Sequence, residues 1–408
     1  MLGRADGKVV LVSGGIPGER VRVAVERETS QVAFARVVEV IDASADRREP
    51  PSDPACGGLA YAHIQYGRQR LLKGEVIVDA FRRLGRIDLV QPVAVAASPE
   101  RGYRLRARLH VRKGRAGFFR EQSHDPCEAG PTGQLLPEAL TVIEVVLARL
   151  ASQADTCEAI VVAENVAGTD RVLHLEPQAG QALDASALAR DLPTGVSGVT
   201  TAVDGRTLQI AGAARVVDTA RAIFPDNLPE RLPPEATWTR GPESFFQGNR
   251  YLLGALIRSV LARVADGPTI DLYAGVGLFA VAVAARGQDV LAVEGDRISV
   301  ADLILNARPH ATLEPHGGAV EQVLPRLRRG AFNTVLLDPP RTGLSKPAAD
   351  AMLRLAAPRL VYVSCDVATL ARDAARIVAS GYRVSAVEGF DMFPGTGHIE
   401  TLTVFDRV

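Results

Sequence analysis

The stretch VSCDVATLARD (residues 363–373) places a cysteine where a β-branched run, LVYVS, gives way to a helix-like pattern. Cys365 therefore sits between a strand end and a helix start, with Asp366 as the expected N-cap. The positive end of a helix favours a thiolate and lowers a thiol pKa from its usual value of about 8.5, although the Asp366 charge opposes this. A thiolate in such a place is a candidate nucleophile. A second group, Asp338, closes the apolar run of LLDPPRTGLS (336–345), where Pro339 and Pro340 stiffen the exit and hold the carboxylate in one direction. A third set lies in DLYAGVGLFAVAVAARG: Gly275, Gly277 and Ala280 fit G-x-G-x-x-A, and Glu294 follows 19 residues after Gly275. An acid at that distance can accept from ribose hydroxyls. This pattern fits a dinucleotide or S-adenosylmethionine, and Asp271 just before the turn leans towards the latter.

These groups need a scaffold that brings strand ends to one edge. From about residue 240 the chain alternates strand and helix: PTIDLYAG, DVLAVEGD, NTVLLDPP and RLVYVSC are each followed by a helical pattern, then RVSAVEGFDMF and ETLTVF close the chain. Such alternation predicts an α/β domain with a doubly wound, Rossmann-like sheet over residues 239–408, with ligands at the carboxyl ends of its strands. Residues 1–46 read as short strands with Gly/Pro turns, the pattern of a small β-barrel. Residues 47–238 read as a central α+β domain, entered through the Pro/Gly-rich connector DRREPPSDPACGGL. Within it, residues 65–85 carry apolar positions at helical spacing, and that helix is expected to pack on the catalytic domain.

The chain has 408 residues, 47% of them hydrophobic, with 47 Lys+Arg against 47 Asp+Glu. Zero net charge argues against a nucleic-acid partner unless the positive charge is concentrated. It is concentrated in RGYRLRARLHVRKGRAGFFR (101–120), which holds eight Arg or Lys and no acid. Tyr103, Leu105, Ala107, Leu109 and Val111 alternate with Arg104, Arg106, Arg108, His110 and Arg112, which predicts a strand with an apolar back and a cationic front. Like charges on one strand face repel, and phosphates relieve that repulsion. The N-terminus has no apolar signal core, and no run of about 18 uncharged apolar residues occurs. A cytoplasmic protein without a membrane partner is expected. Cys56, Cys127, Cys157 and Cys365 are far apart, which suggests neither a disulfide framework nor a CxxC metal knuckle.

Six motifs in order, FFQGNRYL (245–252), DLYAGVGLFA (271–280), VEGD (293–296), LLDPPRTGL (336–344), SCDVATLARD (364–373) and GHIETLTVF (397–405), resemble the S-adenosylmethionine-dependent RNA uracil-C5 methyltransferases with an N-terminal TRAM domain. The opening GKVVLVSGGIPGERVRV is similar to TRAM, although it begins later than such domains usually do, which leaves either a truncated start or an incomplete barrel as the expectation. The resemblance implies methyl transfer to a uridine of tRNA or 23S rRNA. It implies Cys365 as nucleophile, Glu400 as the base that takes the C5 proton, and Gln247, Tyr273, Gly275, Gly277, Glu294 and Asp338 around the cofactor. Arg104, Arg106, Arg108 and Arg112 are then the RNA-facing cations, and a monomer is expected.

Many members of that family hold a 4Fe–4S cluster on closely spaced cysteines ending in CGGC and a later fourth. Here the region reads PPSDPACGGLAY: Pro50 and Leu59 stand at ligand positions, and Cys56 and Cys127 remain. Two thiolates cannot hold a cubane, so no cluster is expected and both cysteines read as remnants. Two other readings compete. An NAD-dependent dehydrogenase leaves LLDPPR, the edge cysteine and the cationic strand unexplained. A non-catalytic RNA-binding or ribosome-assembly factor would have no need of the nucleophile and base.

Overall fold

The computed structural model describes the chain apart from residues 6, 122, 182, 184, 185, 204 and 205. Its largest sheet has eight strands, in the order Leu313–Gly317, Val290–Glu294, Thr269–Leu272, Thr334–Leu337, Arg359–Ser364, Glu400–Arg407, Tyr382–Phe390 and Val95–Ala96. The first five run parallel, and Glu400–Arg407 inserts antiparallel beside Arg359–Ser364. The inner strands Thr269–Leu272 and Thr334–Leu337 are buried at every position, as parallel strands covered on both faces must be. Helices end and begin where the chemistry of the sequence directs. Asp366 accepts from Thr369 N at 2.8 Å to cap Val367–Ala379, and Ser345 accepts from Ala348 N to cap Lys346–Leu355.

The cationic segment is a strand, Arg106–Arg112, in a seven-stranded sheet. Its order is Arg206–Gly212, Gly198–Val203, Arg171–Pro177, Cys157–Glu164, Arg106–Arg112, Arg115–Phe119 and Pro126–Glu128. Tyr103, Leu105, Ala107, Leu109 and Val111 are all buried, so the alternation read from the sequence is realised. Residues Leu2–Ala5, Lys8–Ser13, Val32–Asp42 and Arg20–Glu28 form a four-stranded sheet in that spatial order, with a strand already at the very start of the chain. Among the described residues no helix is long and apolar enough to cross a membrane.

The helix read at 65–85 is α-helical over Tyr66–Ala80 and continues as a π turn, Phe81–Gly85. It packs on the large sheet's domain: Ile77 and Phe81 share one core with Leu370 and Ile377. The approach is close enough that a Cβ on Gly85 would lie 3.0 Å from the Ala371 carbonyl. Lys73, on this helix, donates to Asp391 Oδ1 at 2.5 Å, both being buried, and to the Phe393 carbonyl at 3.2 Å. Gln69 Oε1 accepts from Gly395 N, and Asn249 donates to the Met392 carbonyl. The segment 391–399 is thus held by two side chains of this helix and by Asn249 just before it delivers Glu400.

The cysteine reading needs correction. Cys56 and Cys127 form a disulfide with Cα atoms 5.8 Å apart, so they are bonded partners and not idle remnants. Strand pairing explains it: Cys56 bridges to Arg120 and Cys127 lies opposite Phe118, which makes neighbours of residues 71 apart in sequence. Spacing alone could not show that proximity.

Candidate active site

Register builds the centre of the site. Ser364 lies opposite Thr401 in the antiparallel pair, so one step further Cys365 and Glu400 face each other. Asp338 follows the neighbouring strand, whose Leu337 is paired with Tyr362 on one side and Leu272 on the other. Gln247 Nε2 donates to Asp338 Oδ2 at 3.2 Å. Cys365, Glu400, Asp338 and Gln247, spread over 154 residues of sequence, therefore meet at one sheet edge.

Glu400 is buried, and its Oε1 has no hydrogen-bond partner among the described residues. Burial, and then the Asp338 charge, push its carboxyl well above the usual range; the Arg341 charge pulls the other way. Asp338 is raised to about 7, first by burial, and the Gln247 hydrogen bond moderates the shift. The surroundings of Cys365 act against the lowering expected from the helix end. The Cys365 thiol is pushed up to about 11 by burial and by the charges of Glu400 and Asp338. Arg341 counters with its charge and a hydrogen bond to the sulfur, but it is outweighed. Low dielectric and two carboxylates both disfavour the thiolate.

Arg341 is a site residue that the sequence reading passed over. Its signal was position: it is the third residue after Asp338 in DPPR. Phe393 was passed over as well, and His398, near Glu400 in GHIET, carried no assigned role. They meet edge to face with ring centroids 6.3 Å apart, and His398 stands exposed two residues before Glu400.

The glycine turn lies beside this centre. Gly275 and Gly277 have φ of 58° and 91°, and a Cβ on Gly277 would sit 2.9 Å from Leu303. Tyr273 holds a positive φ of 60° without being glycine, a backbone strain of the kind stored at functional sites. Glu294 accepts from Gly275 N at 2.7 Å and from Asp296 N at 2.6 Å. Each oxygen keeps a lone pair for a hydroxyl donor. Asp271 is buried, and burial with the Asp338 charge raises its carboxyl well above the usual range, against a hydrogen bond from the Ala280 backbone N–H. A cradle that excludes side chains, a ribose-type acceptor and buried carboxylates beside it fit a nucleoside cofactor with a cationic end.

The arginines of the cationic strand divide. Arg108 is matched by Glu158 and Glu176, and Arg112 is exposed with its Nη1 on the Val111 carbonyl. Arg104 reaches the site wall, its Cζ 5.8 Å from the Phe393 ring centroid, and Arg106 donates to the Pro242 carbonyl.

Comparison with known proteins identifies the assembly. The tRNA (uracil-5-)-methyltransferase family model matches residues 324–408, and the TRAM model matches residues 1–38. The chain is 33% identical to the 23S rRNA (uracil(1939)-C(5))-methyltransferase RlmD of Pseudomonas putida, over 98% of this chain and 89% of that one. The chain belongs to the S-adenosylmethionine-dependent RNA (uracil-C5)-methyltransferase family. An uncharacterised RNA methyltransferase of Streptomyces avermitilis is 32% identical over 98% of this chain and 94% of that protein. The fold matches that of the Pyrococcus abyssi tRNA (uracil-54, C5)-methyltransferase solved with S-adenosyl-L-homocysteine, at TM-score 0.75 and 22% identity, covering 97% and 94% of the two chains. As an RNA (uracil-C5)-methyltransferase, the chain is an enzyme, and the dehydrogenase and non-catalytic readings fall away.

Proposed function

We propose that the chain methylates C5 of a uridine in structured RNA through a covalent bond between Cys365 Sγ and uracil C6. The observation that carries this is the register that sets Cys365 beside Glu400 at the cofactor edge. Gly275, Gly277, Tyr273 and Glu294 would hold the cofactor, with Gln247 and Asp338 between it and the target base. S-adenosylmethionine supplies an electrophilic methyl group. Uracil C5 is too weak a nucleophile to accept one unaided. A bond from sulfur to C6 moves the ring electrons onto the C5–C4–O4 enolate, and C5 becomes methyl-accepting. The thiol proton passes to Asp338, which is midway through its titration near neutral pH. Glu400 then takes the C5 proton, the C–H electrons restore the C5–C6 double bond, and the thiolate leaves. The Arg341 charge favours the ionised form of Glu400.

The target base must leave its stack to reach a buried edge, so a loop or flipped uridine is the substrate form. We take 23S rRNA as the RNA class, because the relatives of Pseudomonas putida and Thiobacillus denitrificans that align with nearly the whole chain are named for it.

Glu400→Gln, incubated with cofactor and a labelled 23S fragment, is expected to accumulate a denaturant-resistant protein–RNA adduct, since elimination stalls after methylation. Adding Cys365→Ala should abolish the adduct. An inactive Glu400→Gln variant that forms none removes Glu400 from the role of base.

A further inference from the structure

Three arginines of the cationic segment are half-buried: Arg104, Arg106 and Arg108. Arg108 is neutralised by two carboxylates, while neither Arg104 nor Arg106 forms an ion pair among the described residues. Arg104 Nη1 donates to Gln134 Oε1 at 2.5 Å and Nε to the Arg106 carbonyl at 3.1 Å. Arg106 Nε donates to the Pro242 carbonyl at 2.7 Å. Nη2 of Arg104 and both Nη groups of Arg106 meet no protein acceptor among the described residues, and a guanidinium carries five N–H donors.

Burial disfavours both cations, and Arg104 adds repulsion at Arg106. The acids that reach Arg106 are engaged elsewhere: Glu176 binds Arg108, and Glu243 accepts from the Thr207 hydroxyl and lies 3.7 Å from His174. Two cations are thus held close together with no ion-pair partner of their own among the described residues, offset by neutral acceptors, by the rings of Phe118 and Phe393 under Arg104 and by the charges of Glu176 and Glu243 near Arg106. Arg106 opens the strand Arg106–Arg112, and Arg104 lies two residues before it, in an isolated bridge to Asn249.

Their location is specific. Arg104 stacks over Phe393, and a Cβ on Gly248 would lie 3.1 Å from that ring. Gly248 follows Gln247, which binds Asp338. Arg104 therefore borders the catalytic edge from the central sheet's side, with Arg106 two residues further along the chain. Gln134 fixes Arg104, and is itself fixed by donating to the Gly57 carbonyl, next to the Cys56–Cys127 disulfide.

We propose that Arg104 and Arg106 jointly seat one phosphodiester immediately beside the flipped uridine, positioning the base over Cys365. This rests on the RNA methyltransferase reading above. Planar guanidiniums with free paired donors suit two oxygens of one phosphate. The wider strand then contributes less than its composition suggests, because Arg108's charge is already matched.

The test is filter binding of a 23S rRNA fragment that the wild-type protein methylates, with S-adenosylhomocysteine present, across a series of KCl concentrations. For single-stranded RNA one neutralised phosphate contributes about 0.7 to the slope of log Kd against log[salt]. The Arg104→Gln/Arg106→Gln double variant is expected to lose about 0.7 of slope, with either single variant losing no more than the double. A loss near twice that would mean two separate phosphates, and an unchanged slope no phosphate; either overturns the shared seat. S-adenosylhomocysteine affinity reports folding of the variant. Should the double glutamine variant fail that check, the Arg104→Lys/Arg106→Lys pair is used: the seat predicts the full slope with weaker binding, and unchanged affinity overturns it. Wild-type protein that methylates no uridine would sink the functional reading itself, whereas methylation with an unmoved slope sinks the seat alone.

Discussion

Iodoacetamide reacts with the thiolate form of cysteine, so its rate on Cys365 measures the field imposed by the surrounding groups. A thiol raised to about 11 is roughly 0.1% thiolate at pH 8, against about a quarter for a free thiol of pKa about 8.5. The thiolate population is thus about 200-fold lower. A more basic sulfur is intrinsically more nucleophilic, which recovers roughly tenfold at a Brønsted slope of about 0.45. Cys365 should therefore alkylate about 20-fold more slowly than a free thiol at pH 8. Because the pKa is raised, the rate should climb tenfold per pH unit through pH 10 without levelling. Mass spectrometry of the Cys365 peptide gives this profile, and Cys157, buried and raised to about 12, serves as an internal reference. Glu400→Gln should speed the reaction at pH 9, and Arg341→Gln should slow it, since the first removes a repelling charge and the second an attracting one. A plateau near pH 8 in the wild type, or no response to Glu400→Gln, would refute the view that burial and carboxylates control the sulfur.

Two further outcomes follow from the fold. Cys127→Ser opens a disulfide across 71 residues and is expected to destabilise the protein by up to about 4 kcal/mol on the chain-entropy model; reductant should lower the wild-type melting temperature but not the variant's, and the purified wild type should carry no stoichiometric iron. Lys73→Met strands Asp391 in the core and should cost about 3–5 kcal/mol by denaturant unfolding, with Asp391→Leu added to it recovering part of the loss; a milder effect would mean that water reaches the pair.

Much of the site was written locally. A glycine turn after a strand, an acid ending the next strand, DPP after a third and a cysteine after a fourth each declare their own strand end, because turn and cap chemistry acts within a few residues. The alternation of Tyr103, Leu105 and Ala107 with arginines likewise announced a two-faced strand. Long-range matters were beyond such reading. Which arginines keep a free charge depends on Glu158 and Glu176, donated by other strands of the sheet. The bond between Cys56 and Cys127 depends on pairing across 71 residues. The thiol's protonation depends on Glu400 and Asp338 arriving beside it, and on the water they displace together. Sequence determines which groups stand at strand ends, since that is settled by neighbours along the chain. Only the folded sheet decides which of those groups share a dielectric, because Coulomb and desolvation energies depend on distances and burial set by the packing of segments remote in sequence.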